Sequence, residues 1–217
     1  MPDLKLIIGN RNYSSWSLRP WLALRRTGAA FEETLIALDQ PDSKASILAH
    51  SAAGQVPILF HGGLRVWESL AICEYLAEAF PEAKLWPDDL EARSAARSVS
   101  CEMHAGFTAL RSHMPMDLRN RYPGQGQGPG VEADIARIVE IWSECRATYG
   151  DSGEFLFGDF TIADAMFAPV VGRFHTYAVD LPPVAAAYRD AVWNCPEMRD
   201  WVSAGEQEPW VIEYSKK

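Results

Sequence analysis

The sequence predicts an α+β chain in two parts: a sheet-bearing segment over residues 1–85 in the order βαβαββα, then an all-α segment over residues 90–217. Three observations carry this. Short apolar runs bounded by turn residues, the mark of strands, end by Trp67. From Leu90 onward apolar residues recur in steps of three and four, the mark of amphipathic helices. The charge balance changes at the same place, from 8 basic and 9 acidic residues over 1–87 to 12 basic and 20 acidic over 88–217.

Each element follows from local chemistry. Leu4–Ile8 is a buried strand closed by the Gly9-Asn10 turn. Leu18, Trp21, Leu22 and Leu24 have helical spacing within Ser17–Thr27, with Pro20 in the first turn, where a missing N–H costs little, and Gly28 as the stop. Phe31–Leu38 is a second strand, and 39–54 an irregular segment with one short helix. Pro57–Phe60, the turn His61-Gly62-Gly63 and Leu64–Trp67 form a hairpin, and a helix starts at Ser69. A helical crossover makes the first two strands parallel, and the hairpin adds an antiparallel pair. Ala92 to Met114 reads as one long amphipathic helix, PGQGQGPG at 123–130 as a flexible loop, and further helices cover Ile135–Cys145, the stretch from Thr161, and about 183–194 and 196–204.

Bulk composition narrows the function. A net charge of −9 and the lack of any basic run argue against nucleic acid, which requires clustered Lys and Arg. No apolar run approaches the ~20 residues of a membrane span, and MPDLKLIIGN is a strand rather than a leader. Cys73, Cys101, Cys145 and Cys195 form no C-x-x-C pair, and the five histidines have no ligand spacing, so no metal is implied. A reducing cytoplasm is the expected location.

Three constellations carry chemistry. Asn12-Tyr13-Ser14-Ser15-Trp16-Ser17 lies where the first helix begins, with free N–H groups and a partial positive charge, and its hydroxyls could stabilise a thiolate. In Gln55-Val56-Pro57, a cis bond before Pro57 would turn the Val56 backbone outward to pair with a bound peptide as a miniature strand. At Glu68-Ser69, the Ser69 hydroxyl and the helix amides suit a ligand carboxylate, and Glu68 a ligand ammonium. Together they call for a small molecule with an α-amino-acid head, a peptide middle and a thiol.

With these residues the chain resembles the cytosolic glutathione S-transferase superfamily over nearly its whole length. SSWSLRPWLAL (Ser14–Leu24) is similar to the serine-type motif of bacterial and other zeta-like members, with Trp16 where that class has cysteine. Phe160-Thr161-Ile162-Ala163-Asp164 resembles the superfamily's capping motif, a structural feature. The resemblance implies a thioredoxin-like N-terminal domain followed by an all-α helical domain, a homodimer, and glutathione as co-substrate for a small electrophile. It implies Ser14 as the thiol-activating hydroxyl, with Ser15, Gln55, Val56, Pro57, Glu68 and Ser69 binding glutathione. Tyr13 and Ser15 stay open as rivals to Ser14. Tyr13, His104, Phe107 and Arg111 would face the second substrate. The implied activity is conjugation; the alternatives are a maleylacetoacetate-type cis–trans isomerase and a non-catalytic glutathione-binding protein.

Overall fold

The first strand, β1 (Leu4–Ile8), is an inner strand of a four-stranded sheet of order β2-β1-β3-β4 in the computed structural model, which describes residues 3–213. β1 pairs in parallel with β2 (Phe31–Leu35), register Leu4 to Phe31, and antiparallel with β3 (Ile58–His61), which pairs antiparallel with β4 (Leu64–Trp67). Alternation sorts the side chains of β1 between two layers. Leu4, Leu6 and Ile8 join the main core under α1 (Ser15–Arg26) and α3 (Ser69–Ala79), while Ile7 packs with Ile36, Ile47 and Ile58 beneath α2 (Ser43–Leu48). The parallel pair and the hairpin agree with the sequence reading. β2 is shorter than expected, because the chain turns away after Leu35 and the Asn10 side chain accepts from the Leu38 N–H at 2.6 Å.

After a 3₁₀ turn at Pro81–Ala83, the remaining described elements are helices: α4 (Leu90–Ala105), α5 (Thr108–His113), α6 (Val131–Tyr149), α7 (Ile162–Thr176), α8 (Pro183–Asn194) and α9 (Pro196–Glu206). α7 is buried along almost its whole length and packs against both α1 and α4. Trp142 of α6 sits fully buried among Phe167, Phe174 and Tyr188. One apolar cluster therefore runs from the sheet through α1 into the helical half. That continuity holds the α1 N-terminus fixed relative to α4.

Three further expectations change. α1 starts two residues earlier than its periodicity suggests, so Pro20 falls in the second turn and denies the Trp16 carbonyl its helical donor. The helix expected over Ala92–Met114 breaks at Gly106 and at Phe107, which has a left-handed φ of 57°. Gly is a weak helix former, and the Arg111 guanidinium donates to the carbonyls of His104 and Gly106, which serve the free end of α4. The glycine-rich segment 123–130 is packed down: a Cβ on Gly126 would lie 2.6 Å from Met114 Cγ, so only glycine permits that approach.

Candidate functional site

A cavity of about 700 Å³ opens between the sheet half and α4. Its walls are the start of α1 (Tyr13, Ser14, Ser15, Trp16), the segment Gln55–Pro57, the end of β4 with the start of α3 (Trp67, Glu68, Ser69), and His104 from α4. A groove of similar size between α1, β2 and α9 holds mainly charges that are already paired, such as Arg25 with Asp200 at 2.8 Å. The first cavity is the candidate site, because two helix N-termini and the hydroxyls of Ser14 and Ser15 converge on it.

Ser14 is the N-cap of α1. Its backbone is held by the Asn10 carbonyl, which accepts from the Ser14 N–H at 2.7 Å. Its Oγ accepts from the Ser17 N–H at 3.4 Å, a long and weak cap, and donates to Ser17 Oγ at 2.8 Å. Ser17 Oγ in turn accepts from the Gly9 N–H at 3.0 Å. A hydroxyl pair is thus anchored to the end of β1; the Ser15 N–H is taken by the Tyr13 carbonyl at 3.0 Å, while the Ser17 N–H has only the long bond to Ser14. The α1 dipole adds partial positive charge there, with no acidic residue in the first turn to offset it.

The start of α3 is different. Glu68, at φ 79°, folds its carboxylate back over the helix end and accepts from the N–H groups of Ser69 (2.7 Å), Leu70 (3.0 Å) and Ala71 (3.3 Å), and from the Ser69 hydroxyl (3.0 Å). The amides expected to receive a ligand carboxylate therefore hold a carboxylate from the chain itself. Glu68 remains 44% exposed at its side chain, and His104 Nδ1 lies 3.6 Å from its Oε1. The Val56–Pro57 bond is cis, and both residues face the cavity beside Gln55.

Family models for the glutathione S-transferase N-terminal and C-terminal domains match residues 13–79 and 128–204. Glutathione S-transferase 1 of Dianthus caryophyllus is 35% identical over 195 residues, 86% of each chain. The chain belongs to the glutathione S-transferase family. A probable maleylacetoacetate isomerase of Caenorhabditis elegans is 29% identical over 181 residues, 82% of each chain. The solved holo structure of maleyl pyruvate isomerase, described as a bacterial zeta-class glutathione S-transferase, superposes with a TM-score of 0.72 at 23% identity, covering 95% of this chain and 100% of that one. The fold is the thioredoxin-like sheet domain joined to a helical domain.

On the side of the cavity facing the helical half, Trp16 dominates. The Arg19 guanidinium carbon lies 4.3 Å from its ring centroid and that of Arg111 4.8 Å, while the His104 ring meets it edge-on at 5.3 Å. Arg19 is 1% exposed, and burial pulls its pKa down to about 9. Tyr13 and His104 line the cavity; Arg111 reaches it only through Trp16, and Phe107 is buried 7% exposed away from the wall. In the sequence Trp16 stands out chiefly as a departure from a motif, and Trp67 does not stand out. Trp67 is 52% exposed beside Glu68, a placement that its position at the end of a predicted strand does not reveal. Cys73, also near Arg19, is buried, and desolvation pushes its thiol far above the ordinary range, so it supplies no thiolate.

Proposed function

We propose that this chain binds glutathione in the cavity and activates its thiol for attack on a small electrophile. The observation that supports this most is the convergence of Ser14, Gln55–Pro57 and Glu68–Ser69 on one cavity. The γ-glutamyl carboxylate would take the α3 amides, Glu68 would leave them to meet the adjoining ammonium, and the Val56 backbone would pair with the peptide middle. The Ser14–Ser17 pair can pass its shared proton either way. With Ser17 as donor, the Ser14 proton is released toward the sulfur while Gly9 continues to hold Ser17. A hydroxyl donor and the α1 N-terminus together favour the anion of a thiol whose free pKa is ~8.5.

The thiol proton is lost to solvent. The thiolate lone pair forms the C–S bond, and the leaving group departs with its electron pair. Tyr13, Trp16 and His104 would surround the electrophile, with Arg111 behind Trp16. The divisions 1–85 and 90–217, a homodimer and a cytoplasmic location complete this reading. Among the described residues no helix is long and apolar enough to cross a membrane.

A second reading has specific support, the likeness to a probable maleylacetoacetate isomerase. There the thiolate would add to a conjugated cis double bond, the single bond formed would rotate, and the thiolate would leave, regenerating glutathione. Parallel assays with glutathione plus a chloronitrobenzene, and with glutathione plus maleylacetoacetate, separate the two. Chloride release with stoichiometric loss of thiol is the expected result. Isomerisation without loss of thiol would transfer the site to the second reading. A calorimetric titration showing no glutathione binding would overturn both.

A further inference from the structure

The loop that delivers Ser14 is held from two sides: the Asn10 carbonyl and the Arg11–Glu33 ion pair tie it to the sheet half, and a second set of bonds ties residues 11–13 to the helical half. The Glu208 carboxylate accepts from the N–H of Arg11 at 2.7 Å and of Asn12 at 3.3 Å. The Trp201 indole donates to the Arg11 carbonyl at 2.9 Å. The Asn12 amide donates to Asp117 at 2.8 Å and accepts from the Arg119 N–H at 2.9 Å. The Arg119 guanidinium then donates to the Tyr13 hydroxyl at 2.9 Å, to the Glu208 carbonyl at 2.5 Å and to the Trp210 carbonyl at 2.7 Å. Its carbon also lies 5.7 Å from the Tyr13 ring centroid.

These contacts are costly to build. Asn12 is fully buried and Glu208 7% exposed, and buried polar groups of this kind persist only where they are fully paired. α9 is pressed against the loop so closely that a Cβ on Gly205 would lie 3.2 Å from the Asn12 amide nitrogen. General docking of two domains would be served by apolar contacts anywhere along α1 and α7. Here the polar clamp converges on the residues just before Ser14, and one of its arms holds Tyr13, a wall of the cavity.

We infer that Arg119 and Glu208 are positioning residues: through the segment 207–210 they clamp residues 11–13 and so fix Tyr13 and the Ser14 hydroxyl at the place where the sulfur is activated. The inference rests on the proposed binding of glutathione beside Ser14. Neither residue touches the ligand. Each acts through the loop, so their loss should impair activation of the thiol more than its binding. The contacts proposed for the glutamyl and peptide ends, at Glu68–Ser69 and Gln55–Pro57, belong to other elements.

The test compares wild type with Arg119→Met, Arg119→Lys and Glu208→Gln, using glutathione as the probe. Calorimetry gives affinity, ultraviolet absorbance against pH gives the pKa of the bound thiol, and steady-state assays split kcat from KM. For Arg119→Met and Glu208→Gln, glutathione affinity should stay within about threefold and the bound thiol pKa should rise by about one unit. Misplacement of the hydroxyl should lower kcat by roughly 10- to 100-fold. Arg119→Lys should recover part of both losses, because an ammonium can still donate to the Tyr13 hydroxyl. Unchanged thiol pKa and kcat would overturn the inference, as would affinity, melting temperature and kcat falling together, the mark of a merely structural role. Should Arg119→Met fail to fold, Glu208→Gln carries the test alone: it weakens the clamp on the Arg11 and Asn12 amides without altering the cavity wall, so a raised thiol pKa supports the clamp and no change overturns it. A wild type that binds no glutathione would remove the underlying reading, and the inference with it.

Discussion

The starts of α3 and α7 are each closed by a carboxylate, Glu68 at the N-cap of α3 and Asp164 at the third residue of α7, and serve different ends. At α7 the Asp164 carboxylate accepts from the N–H groups of Thr161 (2.7 Å) and Leu156 (3.1 Å) and the hydroxyls of Thr161 (3.1 Å) and Tyr188 (3.0 Å). It is fully buried, and burial pushes its pKa up against the pull of those four donors. At α3 the Glu68 carboxylate also has four donors, yet it stands on a cavity wall, nearly half exposed, on a backbone with φ 79°. A left-handed conformation at a non-glycine residue costs of order 1–3 kcal/mol. The difference lies in replaceability. No incoming group can reach the amides behind Asp164, whereas a ligand carboxylate can take those behind Glu68 without leaving anything unsatisfied. One cap fastens the fold; the other, on the proposed reading, would keep a binding site filled until its ligand arrives.

That contrast can be broken by mutation. Asp164→Ala strands two buried N–H groups and two hydroxyls, and a loss of about 3 kcal/mol or more in unfolding free energy is expected from chemical denaturation. A loss under ~1 kcal/mol would mean that the buried cap is as dispensable as an exposed one. Glu68→Ala sharpens the same comparison from the other side. Water can reach the α3 amides, so stability should change by about 1 kcal/mol or less, while glutathione binding should weaken about tenfold through loss of the ammonium partner. Calorimetry and a melting curve on one preparation check both parts. Normal binding with a large loss of stability would make Glu68 a structural cap like Asp164.

Much of the fold is legible in the sequence because its signals are local. The apolar run Leu4–Ile8, the His61-Gly62-Gly63 turn and the Thr161–Asp164 box each fix their element within a few residues, and the parallel pairing of β1 with β2 follows from the crossover. The break at Gly106-Phe107 is less legible: the apolar spacing continues unchanged through it, and the stabilising carbonyl contacts come from Arg111, on the far side. In the site, the three segments Ser14–Ser15, Gln55–Pro57 and Glu68–Ser69 can be read as ligand-binding chemistry, and they do line one cavity. Sequence could not show that Glu68 would occupy the amides itself, since a rotamer and a positive φ decide that. Nor could it show the clamp on Asn12 and Tyr13, whose partners Asp117, Arg119 and Glu208 lie about a hundred or more residues away and meet the loop only after the two halves dock.

The central claim is that Ser14, at the open start of α1, stabilises sulfur as its anion. Ultraviolet thiolate absorbance of enzyme-bound glutathione, titrated against pH in wild type and in Ser14→Ala, tests it most directly. The wild type should ionise the thiol well below its free pKa of ~8.5, and the variant should return it most of the way to that value. A variant that titrates like the wild type would contradict the claim and move the activating role to Tyr13 or Ser15.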